Sequence, residues 1–151
     1  MFDGLARVDE IAAAHELTHV LHPHWGTLIE RRDDVERVLD ATEVLFCLDT
    51  GHLLLDGGDP VTALRDWGPR INQVHLKDAK RSVMAGIISD GAIVTEIWER
   101  EAFPALGAGD LDVRGVVDGL RAIDYRGWLV IEQDTLPRTK ARFDQAAADQ
   151  R

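Results

Sequence analysis

Short apolar runs alternate with longer amphipathic segments along the chain, the pattern of strands followed by helices. Four segments are strand-like, because each is short, rich in apolar residues and ends in polar ones. They are LTHVLHP, EVLFCLDTGH, INQVHLKDA and GWLVIEQD, at residues 17–23, 43–52, 71–79 and 127–134. Near-continuous apolar strands separated by helices indicate a parallel sheet covered by helices, and we expect GWLVIEQD to be a buried strand.

Helical spacing of apolar residues predicts a helix after each strand. The predicted helices are RRDDVERVLDAT, GDPVTALRDWG, DLDVRGVVDGLRAIDY and LPRTKARFDQAAADQR, at residues 31–42, 58–68, 110–125 and 136–151. In the second helix, Asp59 can cap the first turn, Pro60 suits the first position and Gly68 suits the end. The connection at 79–110 is too long for an ordinary loop, so we expect a partly helical excursion that could act as a lid.

Composition narrows the class of protein without defining its function. The 151 residues suffice for one domain, which we place at residues 1–151, and their formal charge of −10 disfavours nucleic-acid binding. Cys47 is the only cysteine, so no intramolecular disulfide can form. No secretory signal and no apolar run of membrane-spanning length is visible. We therefore expect a cytoplasmic protein that binds neither nucleic acid nor membranes.

Each predicted strand ends in residues that can bind a metal ion or move a proton. The four ends read His22-Pro23-His24, Asp49-Thr50-Gly51-His52, His75-Leu76-Lys77-Asp78 and Glu132-Gln133-Asp134. Because the carboxyl ends of parallel strands meet at one edge of a sheet, we expect these side chains to converge. Imidazole and carboxylate ligands without thiolates suit a catalytic site for a divalent ion such as Mn²⁺, Co²⁺, Zn²⁺ or Mg²⁺.

Several of these residues also have a simpler structural interpretation. Asp49 could cap the turn after its strand, and Lys77 and Asp78 could form a surface ion pair. Glu132 is harder to explain structurally, because it follows an apolar run in which an unpaired carboxylate would be costly to bury. The glycine-rich stretch at 107–110 lacks the lysine and spacing of a phosphate loop, so we expect it to let the backbone pass close to the site.

For the other histidines and for most of the tryptophans we expect structural roles. We expect His15 and His19 to be hydrogen-bonded residues outside the site. Trp67 and Trp128 are predicted to pack in the core or between helix and sheet. Trp25, next to His24, could instead form an apolar wall for a sugar-like ring.

Taken together, the motifs resemble those of the xylose-isomerase-like TIM-barrel superfamily of sugar isomerases and epimerases, and most closely its inosose dehydratase branch. The motifs are HPHWGTLIE, LDTGHLLLDGGDP, VHLKD, GAGDLD and GWLVIEQD. A full barrel has eight strands and about 250 residues, so the resemblance implies the C-terminal half of a barrel, with about four βα units and parallel strands. Such a half-barrel leaves edges and apolar surface open, and we expect a homo-oligomer if it is the native chain.

The resemblance also implies a ligand set for one divalent metal ion. The implied ligands are His22, Asp49, His75 and Glu132, with His24 as a rival for the first position, where most members of the superfamily carry glutamate. His52 matches the histidine of a DxxH motif that usually contacts substrate. His24, Trp25 and His52 are therefore the expected substrate-binding residues, and the implied substrate is a small polyol or keto-sugar.

The reaction implied is enolisation of a cyclitol or sugar ketone, followed by loss of water or by reprotonation. Glu132 would act as the base, His52 as a proton donor or the acid for a leaving hydroxyl, and Lys77 would hold developing negative charge. The metal-dependent apurinic endonucleases are also similar, but their additional Asp-x-His pair is missing before Gly107.

Two hypotheses from other functional classes are alternatives to a lyase or isomerase. The chain could be a catalytically inactive half-barrel that only self-associates or acts as a scaffold. It could also be an open, flavodoxin-like sheet that binds a nucleotide, although no phosphate loop follows the first strand.

Overall fold

The computed structural model describes residues 1–93 and 95–149, in which four parallel strands form one sheet in the order β1-β2-β3-β4. The strands are β1 (Val20–Leu21), β2 (Leu45–Asp49), β3 (Ile71–Lys77) and β4 (Trp128–Glu132). All four lie inside the segments predicted to be strands, and the predicted parallel α/β architecture is confirmed. The first strand is only two residues long, shorter than its apolar run suggested.

Helices connect these strands and cover one face of the sheet. They are α1 (Phe2–Ala14), α2 (Arg32–Ala41), α3 (Thr50–Leu55), α4 (Pro60–Trp67), α5 (Arg81–Ser89), α6 (Glu96–Glu99), α7 (Val113–Ala122) and α8 (Lys140–Asp149). The four predicted helices correspond to α2, α4, α7 and α8, while α1 and α3 were not predicted. Residues 150–151 of the last predicted helix lie outside the described residues. No helix in the described part of the chain is both long and apolar enough to cross a membrane.

Local chemistry defines where the helices begin. Asp59 caps α4 by accepting hydrogen bonds from the backbone N–H groups of Val61 and Thr62, Pro60 takes the first position, and the helix ends at Gly68, as predicted. The carboxylate of Asp112 caps α7 in the same way.

The register of the strands brings polar side chains together on one face of the sheet. Asp49 pairs with His75 across β2 and β3, and Lys77 pairs with Glu132 across β3 and β4. Successive residues of a strand point to opposite faces, so Asp49, His75 and Lys77 share one face. The residues that alternate with them along β2 and β3 are apolar and buried; they include Phe46, Leu48, Val74 and Leu76.

The fourth strand is exposed, and the prediction that it is buried is wrong. Trp128 is 80% exposed, Ile131 53% and Leu129 45%, so Trp128 is not the core residue that we expected. The reason is position: β4 forms an edge of the sheet, and no strand among the described residues pairs with its other side. Trp67, by contrast, is buried against Phe46 as predicted.

The connection between β3 and α7 is partly helical, as predicted, and packs tightly. It contains α5 and α6, and it buries Ile97, Ala102 and Phe103. The backbone N–H of Lys80 donates to the carbonyl of Ala102 at 2.8 Å, which ties the far part of the connection to the end of β3.

Candidate functional site

Asp49 lies at the centre of the polar cluster at the carboxyl ends of the strands. Its Oδ1 accepts a hydrogen bond from the backbone N–H of His52 at 3.0 Å, which caps α3. Its Oδ2 lies 3.0 Å from Lys77 Nζ, 3.3 Å from His22 Nε2 and 3.6 Å from His75 Nδ1. Asp49 therefore caps the turn after its strand with one oxygen and takes part in the polar cluster with the other, so both expectations for this residue are met.

His75 connects Asp49 to Glu132. Its Nδ1 lies 3.3 Å from Glu132 Oε1, but no group meets this buried nitrogen in hydrogen-bonding geometry. Its other ring nitrogen, Nε2, lies 3.2 Å from the side-chain amide of Gln73 two residues earlier on β3. One nitrogen is thus held by the protein and the other faces two carboxylates.

The side chain of Lys77 is buried among carboxylates. Its Nζ lies 2.8 Å from Glu132 Oε2, 3.0 Å from Asp49 Oδ2 and 3.1 Å from Asp134 Oδ2. Only 2% of Lys77 is exposed, and Asp78 is fully buried, so the interpretation of these two residues as a surface ion pair is wrong. Asp134 was expected at this edge as part of the strand end that holds Glu132, but no role of its own was predicted for it.

Several histidines lie near β1, and in the described part of the chain His22 is the one of them that contacts Asp49. The Nδ1 of His24 lies 2.7 Å from the carbonyl oxygen of Trp25, and its ring packs on the ring of His52 at a centroid distance of 3.7 Å. Trp25 is half-buried. The rings of His24 and His52 are therefore in contact, and the substrate-binding roles of His24, Trp25 and His52 stay predictions.

The two histidines assigned to structure lie elsewhere. His19 Nδ1 lies 2.7 Å from a carboxylate oxygen of Asp9 on α1, and His15 is exposed at the end of that helix.

Three overlapping groups of described side chains bring potential metal ligands within 4.8 Å of one another. The groups are Asp49 with His75 and Glu132, His22 with Asp49 and His52, and His22 with Cys47 and His75. Burial, followed by the charge of Asp49, raises the pKa of the Cys47 thiol to about 12, which makes the thiol a poor ligand at neutral pH. The remaining donors are nitrogen and carboxylate oxygen, and the unpartnered Nδ1 of His75 faces two of those oxygens. This set fits a divalent ion.

The charges of the cluster support one another. Burial opposes ionisation of Asp49, but the hydrogen bond with His22, the nearby ring of His75 and the charge of Lys77 outweigh it and hold the pKa of Asp49 well below its usual range. Burial also works against the charge of Lys77, yet Asp49 and Glu132 raise its pKa above the ordinary value. Asp49 is therefore an anion and Lys77 a cation at neutral pH.

The two central histidines differ in their proton affinity. Burial lowers the pKa of His52 to about 3, although Asp49 acts in the opposite direction. The nearby carboxylate of Asp49 raises the pKa of His75, against the effect of burial. His52 is consequently neutral at pH 7, which favours a role as a neutral hydrogen-bonding group over that of a charged acid.

The glycine-rich stretch wraps a buried carboxylate at the end of β3. Asp78 accepts hydrogen bonds from the backbone N–H groups of Ala79, Gly107, Gly109 and Leu111, at 2.8 to 3.0 Å. The backbone does pass close to the site, as expected, and Asp78 is the residue it approaches. The sequence predicted for Asp78 only a place at the strand end or in a surface ion pair, because three of its four donors lie about thirty residues further along the chain.

The long connection also contributes an aromatic wall to the site. The ring of Phe103 packs edge-on against His52 at 5.2 Å between centroids and lies 5.2 Å from Lys77 Nζ. This role of Phe103 was not predicted, because nothing in the sequence indicates where residues of a long connection return to the sheet.

Comparison with known proteins shows the family to which the chain belongs. A family model described as xylose isomerase-like TIM barrel matches residues 1–149. Inosose dehydratase of Geobacillus thermodenitrificans is 31% identical over 149 residues, which cover 97% of this chain and 50% of that protein. The chain spans about half the length of the curated relatives it matches.

Solved structures show the same fold. The IOLI protein, crystallised with a bound zinc atom, has a TM-score of 0.68 at 16% identity, over 99% of this chain and 53% of its own. L-ribulose 3-epimerase has a TM-score of 0.67 at 21% identity, over 97% of this chain and 44% of its own.

Proposed function

Since the chain belongs to the xylose isomerase-like TIM barrel family, we propose that it carries the metal centre of a lyase or isomerase acting on a cyclitol or sugar ketone. The observation that carries the proposal is the convergence of Asp49, His75 and Glu132, whose ligand atoms lie within 4.8 Å of one another. The relatives named inosose dehydratase and the structural similarity to L-ribulose 3-epimerase favour a keto-cyclitol or keto-sugar as substrate.

His22, Asp49, His75 and Glu132 would hold the ion. His22 is preferred to His24 as the first ligand, because His22 Nε2 lies 3.3 Å from Asp49 Oδ2 while His24 is engaged with Trp25 and the ring of His52. When bound, a divalent ion supplies a Lewis acid that polarises a ketone and its neighbouring hydroxyl, which makes the α-proton easier to remove.

The protein's own groups would then manage protons and charge. Glu132 would take the α-proton, through a carboxylate that is 30% exposed and therefore open to substrate. The ammonium of Lys77 would stabilise the negative charge that develops on the substrate oxygen. His52, neutral at pH 7, would hydrogen-bond a substrate hydroxyl, and Trp25 and His24 would border the sugar ring.

The first test measures metal binding and then turnover. We expect the purified chain to bind Mn²⁺, Co²⁺ or Zn²⁺ in a one-to-one ratio by calorimetry, and to accelerate exchange of the substrate α-proton with solvent deuterium in keto-inositol or a keto-sugar. Glu132→Gln, assayed at saturating metal, should abolish this exchange, whereas Glu43→Gln, an exposed carboxylate change outside the site, should not. A chain that folds and binds no divalent ion would refute the proposal.

A second candidate function is a catalytically inactive half-barrel that only self-associates. The exposed apolar strand β4 favours it, because such an edge readily pairs with another chain. Metal binding distinguishes the two candidates: an enzyme requires the ion, whereas a protein that only self-associates does not.

A further inference from the structure

Lys77 and a bound metal ion would compete for the same carboxylates. The ammonium lies 3.0 Å from Asp49 Oδ2 and 2.8 Å from Glu132 Oε2, and both residues belong to the proposed ligand set. A divalent ion bound there would place a second positive charge within a few ångströms of Nζ, and such like charges repel strongly in a poorly solvated site. The protein must therefore offset this repulsion.

Lys77 cannot relieve the repulsion by turning toward water. Only 2% of the residue is exposed, its stem packs against Gly51, and its backbone N–H donates to the hydroxyl of Thr50 at 2.9 Å. A buried ammonium needs a carboxylate partner, because an unpaired buried charge is costly. Once Asp49 and Glu132 bind the ion, another partner is required.

Asp134 meets this requirement. Its Oδ2 accepts a hydrogen bond from Lys77 Nζ at 3.1 Å, and among the described residues it belongs to none of the three groups whose atoms could share an ion. We propose that Asp134 is a positioning residue: it retains Lys77 beside the substrate when the metal occupies Asp49 and Glu132. This inference rests on the proposed metal site.

The test is a double-mutant cycle read out as metal affinity. Calorimetric titration with Zn²⁺ or Mn²⁺ compares the wild type, Asp134→Asn, Lys77→Met and the double variant. We expect Asp134→Asn to weaken binding about tenfold, the size of coupling typical of charged neighbours, and Lys77→Met to strengthen it. In the Lys77→Met background, Asp134→Asn should change the affinity less than about twofold, because its partner is gone.

Controls separate this role from a general effect of charge. Asp118→Asn on α7 removes the same charge far from the site and should leave the affinity unchanged. An equal loss of affinity for Asp134→Asn with and without Lys77 would overturn the proposal, as would no loss in the wild-type background. A wild type that binds no ion would instead refute the proposed metal site itself.

A second measurement avoids any substitution of Lys77, in case that variant does not fold. The chain has three lysines, Lys77, Lys80 and Lys140, so the side-chain Cε signal of Lys77 can be followed by NMR in ¹³C-lysine-labelled protein. We expect the change of this signal on saturation with Zn²⁺ to be smaller and without broadening in the wild type, and larger or accompanied by broadening in Asp134→Asn. The same response in both proteins would contradict the proposal.

Discussion

The side chain of Lys77 lies in contact with the backbone of Gly51. A Cβ atom at position 51 would come within 2.7 Å of Lys77 Cγ and 2.9 Å of Cδ, closer than side-chain carbons approach one another. Gly51 is the second residue of α3, two positions after the capping residue Asp49. The missing side chain at 51 therefore leaves the space that Lys77 uses to reach the carboxylates.

Gly51→Ala should displace Lys77 and destabilise the fold. The new methyl group contacts the stem of the lysine and not its flexible end, so overpacking should cost about 1–3 kcal/mol of unfolding free energy in urea denaturation. Gly86→Ala is the matched control, because no atom lies within 4 Å of a Cβ at that position of α5, and alanine suits a helix better than glycine. Equal stability of the two variants would refute this account.

Asp78 should be important for stability although it lies outside the proposed chemistry. Asp78→Ala leaves four backbone N–H groups without their acceptor, so we expect a loss of about 3 kcal/mol or more in the free energy of unfolding. The control is Asp112→Asn, since asparagine caps a helix about as well as aspartate and α7 should keep its first turn. A loss below about 1 kcal/mol for Asp78→Ala would contradict the prediction.

The strand ends could be predicted from the sequence because two simple rules apply to them. Residues alternate between the faces of a strand, and parallel strands end at one edge, so Asp49, His75 and Glu132 had to meet if the strands were identified. Contacts that depend on residues far along the chain could not be predicted in this way. Phe103 and the turn at 107–111 reach the site through a connection that has no repeating pattern.

Two errors concern burial, which the apolar pattern does not determine by itself. The strand β4 has the sequence of a buried strand, but it lies at the edge of the sheet, where no described strand pairs with its far side. Helix α3 was missed for the opposite reason. Its six residues, 50–55, are all buried, so no polar face produces the helical alternation that predicts such elements.

Gln73 should control which nitrogen of His75 is free to bind metal. If Nδ1 is the ligand, the ring proton must be on Nε2, which lies 3.2 Å from the amide nitrogen of Gln73. A half-turn of the amide would bring its oxygen to this position, where it accepts the ring proton. Gln73→Leu removes this acceptor, and we expect metal affinity to fall at least about tenfold with the fold intact. Asn72→Ala, at the exposed neighbouring position, should leave the calorimetric affinity unchanged. Unaltered affinity in Gln73→Leu would exclude this role.

The exposed strand β4 should cause the chain to self-associate in solution. Trp128 and Ile131 project from opposite faces of an unpaired edge, with 80% and 53% of their surfaces exposed, and burying them against another copy would be favourable. Sedimentation at several concentrations should give a mass above 16.8 kDa that falls on dilution.

Lysine substitutions on that edge test whether β4 forms the contact. Trp128→Lys combined with Ile131→Lys should shift the chain toward the monomer, because a charged edge resists pairing, while stability changes little at such exposed positions. Leu28→Lys is the matched control: Leu28 is 86% exposed but lies in the loop between β1 and α2, so the mass should not change. If the control lowers the mass as much as the β4 variant, association depends on general hydrophobicity; if neither does, the contact lies on another surface.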